Sequence, residues 1–313
     1  MFNRFLITGS SGFIGSYIVR HIVENNLGEV IALIGKDTDL WRISDLISQI
    51  RLIKCNYNQI DAITDQICSA NPDTLIHAGW SGVINNDRNS IVQLNNIKVM
   101  VDLLKLCESL GIRNFVGLGS QAEYGIPSGR VNESHPNKPT TLYGATKFSA
   151  YVAAQKTCEL HDIRFKWIRV FSTFGPKDNP EWFFPYLINS LLSNKTPDLT
   201  GCEQLWDFLF VKDAAEAIVK VSVSPVASGV YNLGSGKARE LRTIVELVKS
   251  QLNSDTMIHY GAKPYRDDQV MHLEADISKL QTDIHWKPRF EIEQAISETV
   301  QWYKSDYHQQ END

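Results

Sequence analysis

Tyr143 and Lys147, in the stretch "YGATK", are the two side chains of this sequence best suited to moving a proton. Four residues apart on a helix, they share a face. A phenol ordinarily titrates near about 10, and a neighbouring ammonium favours its ionised form, so it can exchange a proton near neutral pH. Ser120 ends the apolar run "NFVGLGS" and offers a hydroxyl that can hold a carbonyl oxygen. The same tyrosine–lysine spacing also arises as a plain helix-face contact. A glycine-rich stretch far upstream argues against that here.

That stretch is "TGSSGFIG", with Gly9, Gly12 and Gly15 between an apolar run and a helical pattern. Glycines permit a tight turn and close backbone approach. The N–H groups around Ser11, Phe13 and Ile14, at the start of the helix, are offered to a pyrophosphate. An ordinary glycine turn is the bland alternative, but the strand before and the helix after are the context a dinucleotide requires. The end of the second strand bears on which dinucleotide. An acid there binds a ribose diol, whereas a cation nearby suits a 2′-phosphate. "IALIGKDTDLWR" has no acid among Ile34, Gly35 and Lys36. Lys36 and Arg42 are the available cations, with Asp37 competing one step later and a solvated loop charge as the plain reading of Lys36. NADPH/NADP is the expected cofactor, with NAD as the alternative. An oxidised nicotinamide would favour the Tyr143 phenolate further.

Positioning these groups requires alternating strands and helices. Residues 4–9, 29–35, 74–79, 114–120 and 164–172 read as buried strands, and 13–26, 91–111 and 146–162 as helices, the second stopped by Gly111. The alternation predicts an α/β fold, a Rossmann-type doubly wound parallel sheet covered on both faces, over residues 1–175. Beyond Gly175-Pro176 the texture becomes aromatic and irregular. Residues 176–313 are expected to form mainly a smaller substrate-binding lobe, interleaved with the end of the sheet.

With 313 residues, 43% of them hydrophobic, and a net charge of −5, the chain reads as a soluble globular protein without the basic patch of a nucleic-acid binder. The odd number of cysteines, 5, with no CxxC pair, predicts reduced core thiols. No signal peptide and no apolar run of about 18 residues is evident, so a cytoplasmic location and no membrane partner are expected.

The chain resembles the extended short-chain dehydrogenase/reductase family, the nucleotide-sugar epimerases, dehydratases and reductases. The likeness rests on "TGSSGFIGS", "IHAG", "LNNIKVMVDLL", "GSQAEYG", "YGATK", "RVFSTFGP", "WDFLFVKDAAEA", "YNLGSG" and "ADISKL…WKP", and covers nearly the whole chain. It implies a catalytic Ser120–Tyr143–Lys147 triad. It also implies that Asn95 orders the site around the cofactor, that Ala78, Gly79 and Trp80 pass the cofactor, and that Asn56, where the family has an acid, lies near adenine. Family dehydratases follow the hydroxyl residue with Asp-Glu. Here Gln121 and Ala122 stand there, an amide and a methyl that cannot transfer protons, while Glu123 reads as structural. Arg266 resembles an arginine used on the substrate diphosphate. Trp206 stands in place of the arginine of a common Arg-Asp-Phe, so at this substrate-site position one diphosphate contact is missing or is replaced by an aromatic wall. His77 reads as a core histidine, and Trp182 and Phe183 as either lobe packing or pocket lining. The pattern looks most like reductases of nucleoside-diphosphate 4-keto-6-deoxyhexoses, of the CDP-abequose synthase type. The rivals are an NAD-dependent UDP-sugar 4-epimerase and a non-catalytic dinucleotide-sensing regulator. Family members pair two helices across a two-fold axis. A homodimer is therefore expected through 91–110, with Ile97, Val101 and Leu104, and 144–161, with Tyr151, Val152 and Ala154.

Overall fold

The computed structural model describes residues 3–57, 59–84 and 87–310. The chain opens with β1 (Asn3–Thr8), α1 (Phe13–Glu24), β2 (Gly28–Gly35), β3 (Arg51–Cys55), α2 (Thr64–Ala70) and β4 (Thr74–His77). It continues with α3 (Asn95–Leu110), β5 (Asn114–Ser120), β6 (Gly129–Val131), α4 (Leu142–Leu160), β7 (Arg164–Val170) and β8 (Ser172–Phe174). Then come α5 (Phe183–Leu192), β9 (Leu205–Trp206), β10 (Phe208–Phe210), α6 (Val211–Val223) and β11 (Gly229–Leu233). The last elements are β12 (Arg239–Glu240), α7 (Leu241–Leu252), β13 (His272–Ala275), α8 (Ser278–Ile284) and α9 (Ile292–Gln310).

Seven strands form one parallel sheet in the order β11-β7-β5-β4-β1-β2-β3. This is the Rossmann-type α/β fold. The strand order reverses between β1 and β4, and ligands of such sheets bind outside the carboxyl ends of the strands at that crevice. Its inner strands are near-continuous apolar runs because helices cover both faces. Phe5, Ile7, Ile18, Ile22 and Ile218 pack one side, and Leu6, Leu75, Leu103, Phe115 and Ala154 the other.

β5 spans the residues read from sequence, and α3 ends at Gly111 in the left-handed region, φ +68°. β3 is a further strand at one edge, and β11 comes from the late half of the chain to extend the sheet beside β7. A four-stranded sheet, β12-β9-β13-β6, and an aromatic cluster around Phe174, Phe184, Phe208 and Phe210 build the remainder. Phe183 stacks on Phe208, so it packs this lobe. On the two helices expected to pair, Val101 and Val152 are exposed, whereas Leu104 and Ala154 are buried in the core and belong to no outer face.

Candidate active site

The glycine turn sits at the carboxyl end of β1. Gly9 has φ +69°, the Gly12 N–H donates to the Gly9 carbonyl at 2.9 Å, and a Cβ on Gly9 would lie 2.5 Å from the Gly79 nitrogen. Only glycine fits there. Gly12 caps α1 without a side chain, and the first turn, from Phe13 and Ile14 to Gly15, carries no acid. Its leading N–H groups therefore have no side-chain partner, and these residues fit a pyrophosphate. Ala78 and Gly79 are laced to Thr8 through its carbonyl and its hydroxyl, which keeps this loop against the turn.

Of the two cations expected at a 2′-phosphate, Lys36 stands exposed just beyond β2. Arg42 is otherwise engaged. It donates to the Lys177 carbonyl at 2.8 Å and its guanidinium lies over the Trp41 ring at 4.4 Å. Asn56 follows β3 directly, exposed, with its carbonyl accepting the Gln59 N–H.

Ser120 ends β5 and begins a single turn closed by a capping box. Its hydroxyl oxygen accepts the Ala122 N–H at 3.2 Å, and Glu123 accepts the Ser120 N–H at 2.8 Å. The hydroxyl's own proton stays available for donation to an oxygen. Glu123 also accepts from Trp167 Nε1 and Arg169 Nε, so it is structural, as its position suggested. α4 docks on this turn at Gly144, where a Cβ would collide with the Ala122 carbonyl. Tyr143, half-buried, thus meets Ser120. Burial pushes its phenol above the ordinary range, while the Ser120 hydroxyl and Arg88 pull it down and Glu123 pushes it up. Held protonated, the phenol is a proton donor.

Lys147 is buried. Its Nζ donates to the Leu118 carbonyl at 2.6 Å, lies 3.7 Å from the Trp80 ring centre and 6.0 Å from that of Tyr143. Desolvation lowers its pKa to about 7, against the pull of Glu123. Trp80 stands edge-on to Tyr143, so tryptophan, tyrosine and lysine form one cluster at the carboxyl edge. His77 is neutral, its pKa lowered by burial to about 3, and its Nδ1 meets Thr8 Oγ1 at 2.7 Å, the core histidine expected.

Asn95, expected to order the site, and its neighbour Asn96 have different surroundings. Asn95 is exposed, while Asn96 is buried, accepts the Ser81 N–H at 2.9 Å and donates to the Ser81 carbonyl. One residue along a helix is a turn of about 100°, and the buried face runs through Met100, Leu103 and Cys107. That phase puts Asn96, and not Asn95, on the buried face.

Gln121 Oε1 is buried without a partner beside Ser120, and Ala122 is buried. Arg266 is exposed and pairs with Asp268 at 3.4 Å. Its charge is felt at Arg88, whose guanidinium lies 4.9 Å from the Tyr143 ring centre. Arg88 was not singled out from sequence because a loop cation follows no periodicity. Trp206 donates to Ser172 Oγ at 2.7 Å and borders a cavity of about 570 Å³ shared with Phe208 and Phe290, a cavity that no triad residue lines.

The family model described as "NAD dependent epimerase/dehydratase family" matches residues 5–234. The chain is 25% identical to CDP-abequose synthase of Salmonella muenchen, over 95% of this chain and 97% of that protein. Among solved structures it is similar to a UDP-N-acetylglucosamine 4-epimerase from Methanobrevibacter ruminantium M1 in complex with UDP-N-acetylmuramic acid, with TM-score 0.88, 26% identity, and coverage of 98% of this chain and 100% of that one. It also superposes on a dTDP-glucose 4,6-dehydratase from Bacillus anthracis in complex with NAD, with TM-score 0.88 at 22% identity and 98% of each chain covered.

Proposed function

The chain belongs to the NAD dependent epimerase/dehydratase family, and on that premise we propose that it reduces the C4 keto group of a nucleoside-diphosphate 4-keto-6-deoxyhexose with NADPH. The product is a 6-deoxyhexose nucleotide, destined for a glycan or a glycosylated metabolite. The observation that carries the reading is the set around Ser120. A serine, a protonated tyrosine and a lysine converge, while an amide and a methyl occupy the two places from which a dehydratase moves protons.

A dinucleotide whose pyrophosphate lay on the glycine turn would supply hydride to C4. The chain does the rest. Ser120 donates its hydroxyl proton to the C4 carbonyl oxygen and orients it. Tyr143 gives its proton to O4 as charge develops there, and general acid catalysis of this kind contributes about 10²–10⁴-fold. Lys147 holds the cofactor ribose and biases the phenol. Arg266 takes the diphosphate, with Gln121 and Trp206 on the sugar side and residues 176–313 supplying mainly this lobe. Lys36 favours NADPH over NAD. We place a homodimer on the faces of α3 and α4 that expose Val101 and Val152, and a monomer in light scattering at micromolar concentration would refute it.

The test is a panel of CDP-, dTDP-, GDP- and UDP-4-keto-6-deoxy sugars with deuterium-labelled NADPH. One of them should consume one NADPH per molecule and gain deuterium at C4, and 4-hydroxy sugar nucleotides should lose no water. Deuterium absent from C4 overturns the assignment. The likeness to a 4-epimerase favours a second reading, in which NAD is retained and no net redox change occurs. Copurified NAD with inversion of a 4-hydroxy sugar would establish it.

A further inference from the structure

We propose that Arg88 is an electrostatic partner of Tyr143, its guanidinium stabilising the phenolate left when Tyr143 gives up its proton. The inference deepens the proposed reaction and rests on that reading for its catalytic meaning.

Two anchors fix Arg88 beside the phenol. Its carbonyl accepts the Tyr143 N–H at 2.8 Å, and the side-chain amide oxygen of its neighbour Asn89 accepts the Leu142 N–H at 3.0 Å, so this loop caps the start of α4. Its guanidinium then lies 4.9 Å from the Tyr143 ring centre. Two arginines buried or half-buried in the architecture have carboxylate partners, Arg169 with Glu123 and Arg20 with Asp45. Arg88 forms no ion pair among the described residues, and its Nε is buried without a hydrogen-bond partner. Desolvating a cation without an acid to match it is costly. The group that repays the cost is the phenol when it ionises.

Tyr143 is faced by Ser120 and Glu123 from the turn after β5, by Trp80 from the loop after β4, by Lys147 on its own helix and by Arg88. Arg88 in turn feels Tyr143, Arg266 and Asp268. Lys147 is the farther cation, tied to the Leu118 carbonyl, and with a pKa lowered to about 7 it carries only part of its charge near neutral pH. A guanidinium stays charged throughout. Once the proton has gone to O4, Arg88 is the permanent positive charge against the ring of the phenol that released it.

The test reads the phenol directly. Tyr143→3-fluorotyrosine lowers the phenol's titration into an accessible range and gives a ¹⁹F resonance that follows ionisation in the full-length protein. Adding Arg88→Gln should raise the midpoint by about one pH unit, a tenfold change in ionisation, whereas Arg88→Lys should keep most of the effect. Neither capping bond uses the Arg88 side chain, so both variants should fold. In the enzyme with natural Tyr143, Arg88→Gln should lower kcat about tenfold. An unchanged ¹⁹F midpoint overturns the inference, and so does a rise in substrate KM alone, which would make Arg88 a substrate anchor. A shifted midpoint in a protein that reduces none of the 4-keto sugars supports the inference and defeats the proposed reaction.

Discussion

Glu123 and Arg169 form an ion pair of 2.8 Å directly beneath Ser120, with side chains no more than 1% exposed. The same carboxylate accepts the Ser120 N–H and the Trp167 indole N–H. The hydroxyl at the centre of the site is thus positioned by a buried charge that is itself neutralised from β7. Glu123→Gln would leave Arg169 charged and unmatched, and removing one member of a buried pair costs about 3–5 kcal/mol. Urea denaturation should show that loss, with a double variant Glu123→Gln, Arg169→Met regaining part of it.

Tyr143→Phe keeps the ring and removes the proton. We expect kcat to fall by about 10²–10⁴ with little change in nucleotide-sugar affinity. Single-turnover kinetics beside equilibrium binding check the two separately. Full activity in this variant would remove Tyr143 from the chemistry.

The two cations near the second strand should part company. Lys36→Ala should raise the KM for NADPH about tenfold to a hundredfold and leave NADH nearly unchanged, the worth of one charge-assisted contact. Arg42→Ala instead removes a bond to the Lys177 carbonyl and a stack on Trp41. It should lower Tm and shift both cofactors alike.

Asn96→Ala should cost about 1–3 kcal/mol, since the main-chain N–H and carbonyl of Ser81 both lose their buried partner. Asn95→Ala, on the exposed face, should stay within about 0.5 kcal/mol of the parent. Parallel thermal melts check the order of the two losses.

Asp178 supplies a pH dependence. Burial raises its carboxyl pKa to about 7, while the Asn179 N–H and Arg42 pull it back. The folded protein therefore keeps a proton that the unfolded chain releases near the ordinary carboxylate value. The stability this brings is complete below that value and is lost as pH rises through about 7. Asp178→Asn should raise Tm at about pH 8 and converge on the parent at acid pH. A constant offset across pH would show that Arg42 compensates the charge fully.

Much of this was legible in the linear sequence because it depends on local pattern. The run from Asn114 to Ser120 is apolar enough to be a strand buried on both faces, Gly111 stops α3 because a left-handed residue is needed there, and Gly9 is glycine because its φ is positive. The spacing of Tyr143 and Lys147 by itself puts them on one helix face. The apolar phase of α3 puts Asn96 rather than Asn95 on the buried face. Other features depend on contacts between residues distant in sequence, which no local period encodes. β11 joins β7 across about 60 residues, Arg169 finds Glu123 only when β5 and β7 lie side by side, Arg42 is taken up by the Lys177 carbonyl, and Arg88 reaches Tyr143 only because its loop caps α4. The sequence determined which side chains could do chemistry and which strands would carry them. The tertiary structure decided their electrostatic surroundings, because burial and charge pairing depend on which chain segments come to share a low-dielectric interior.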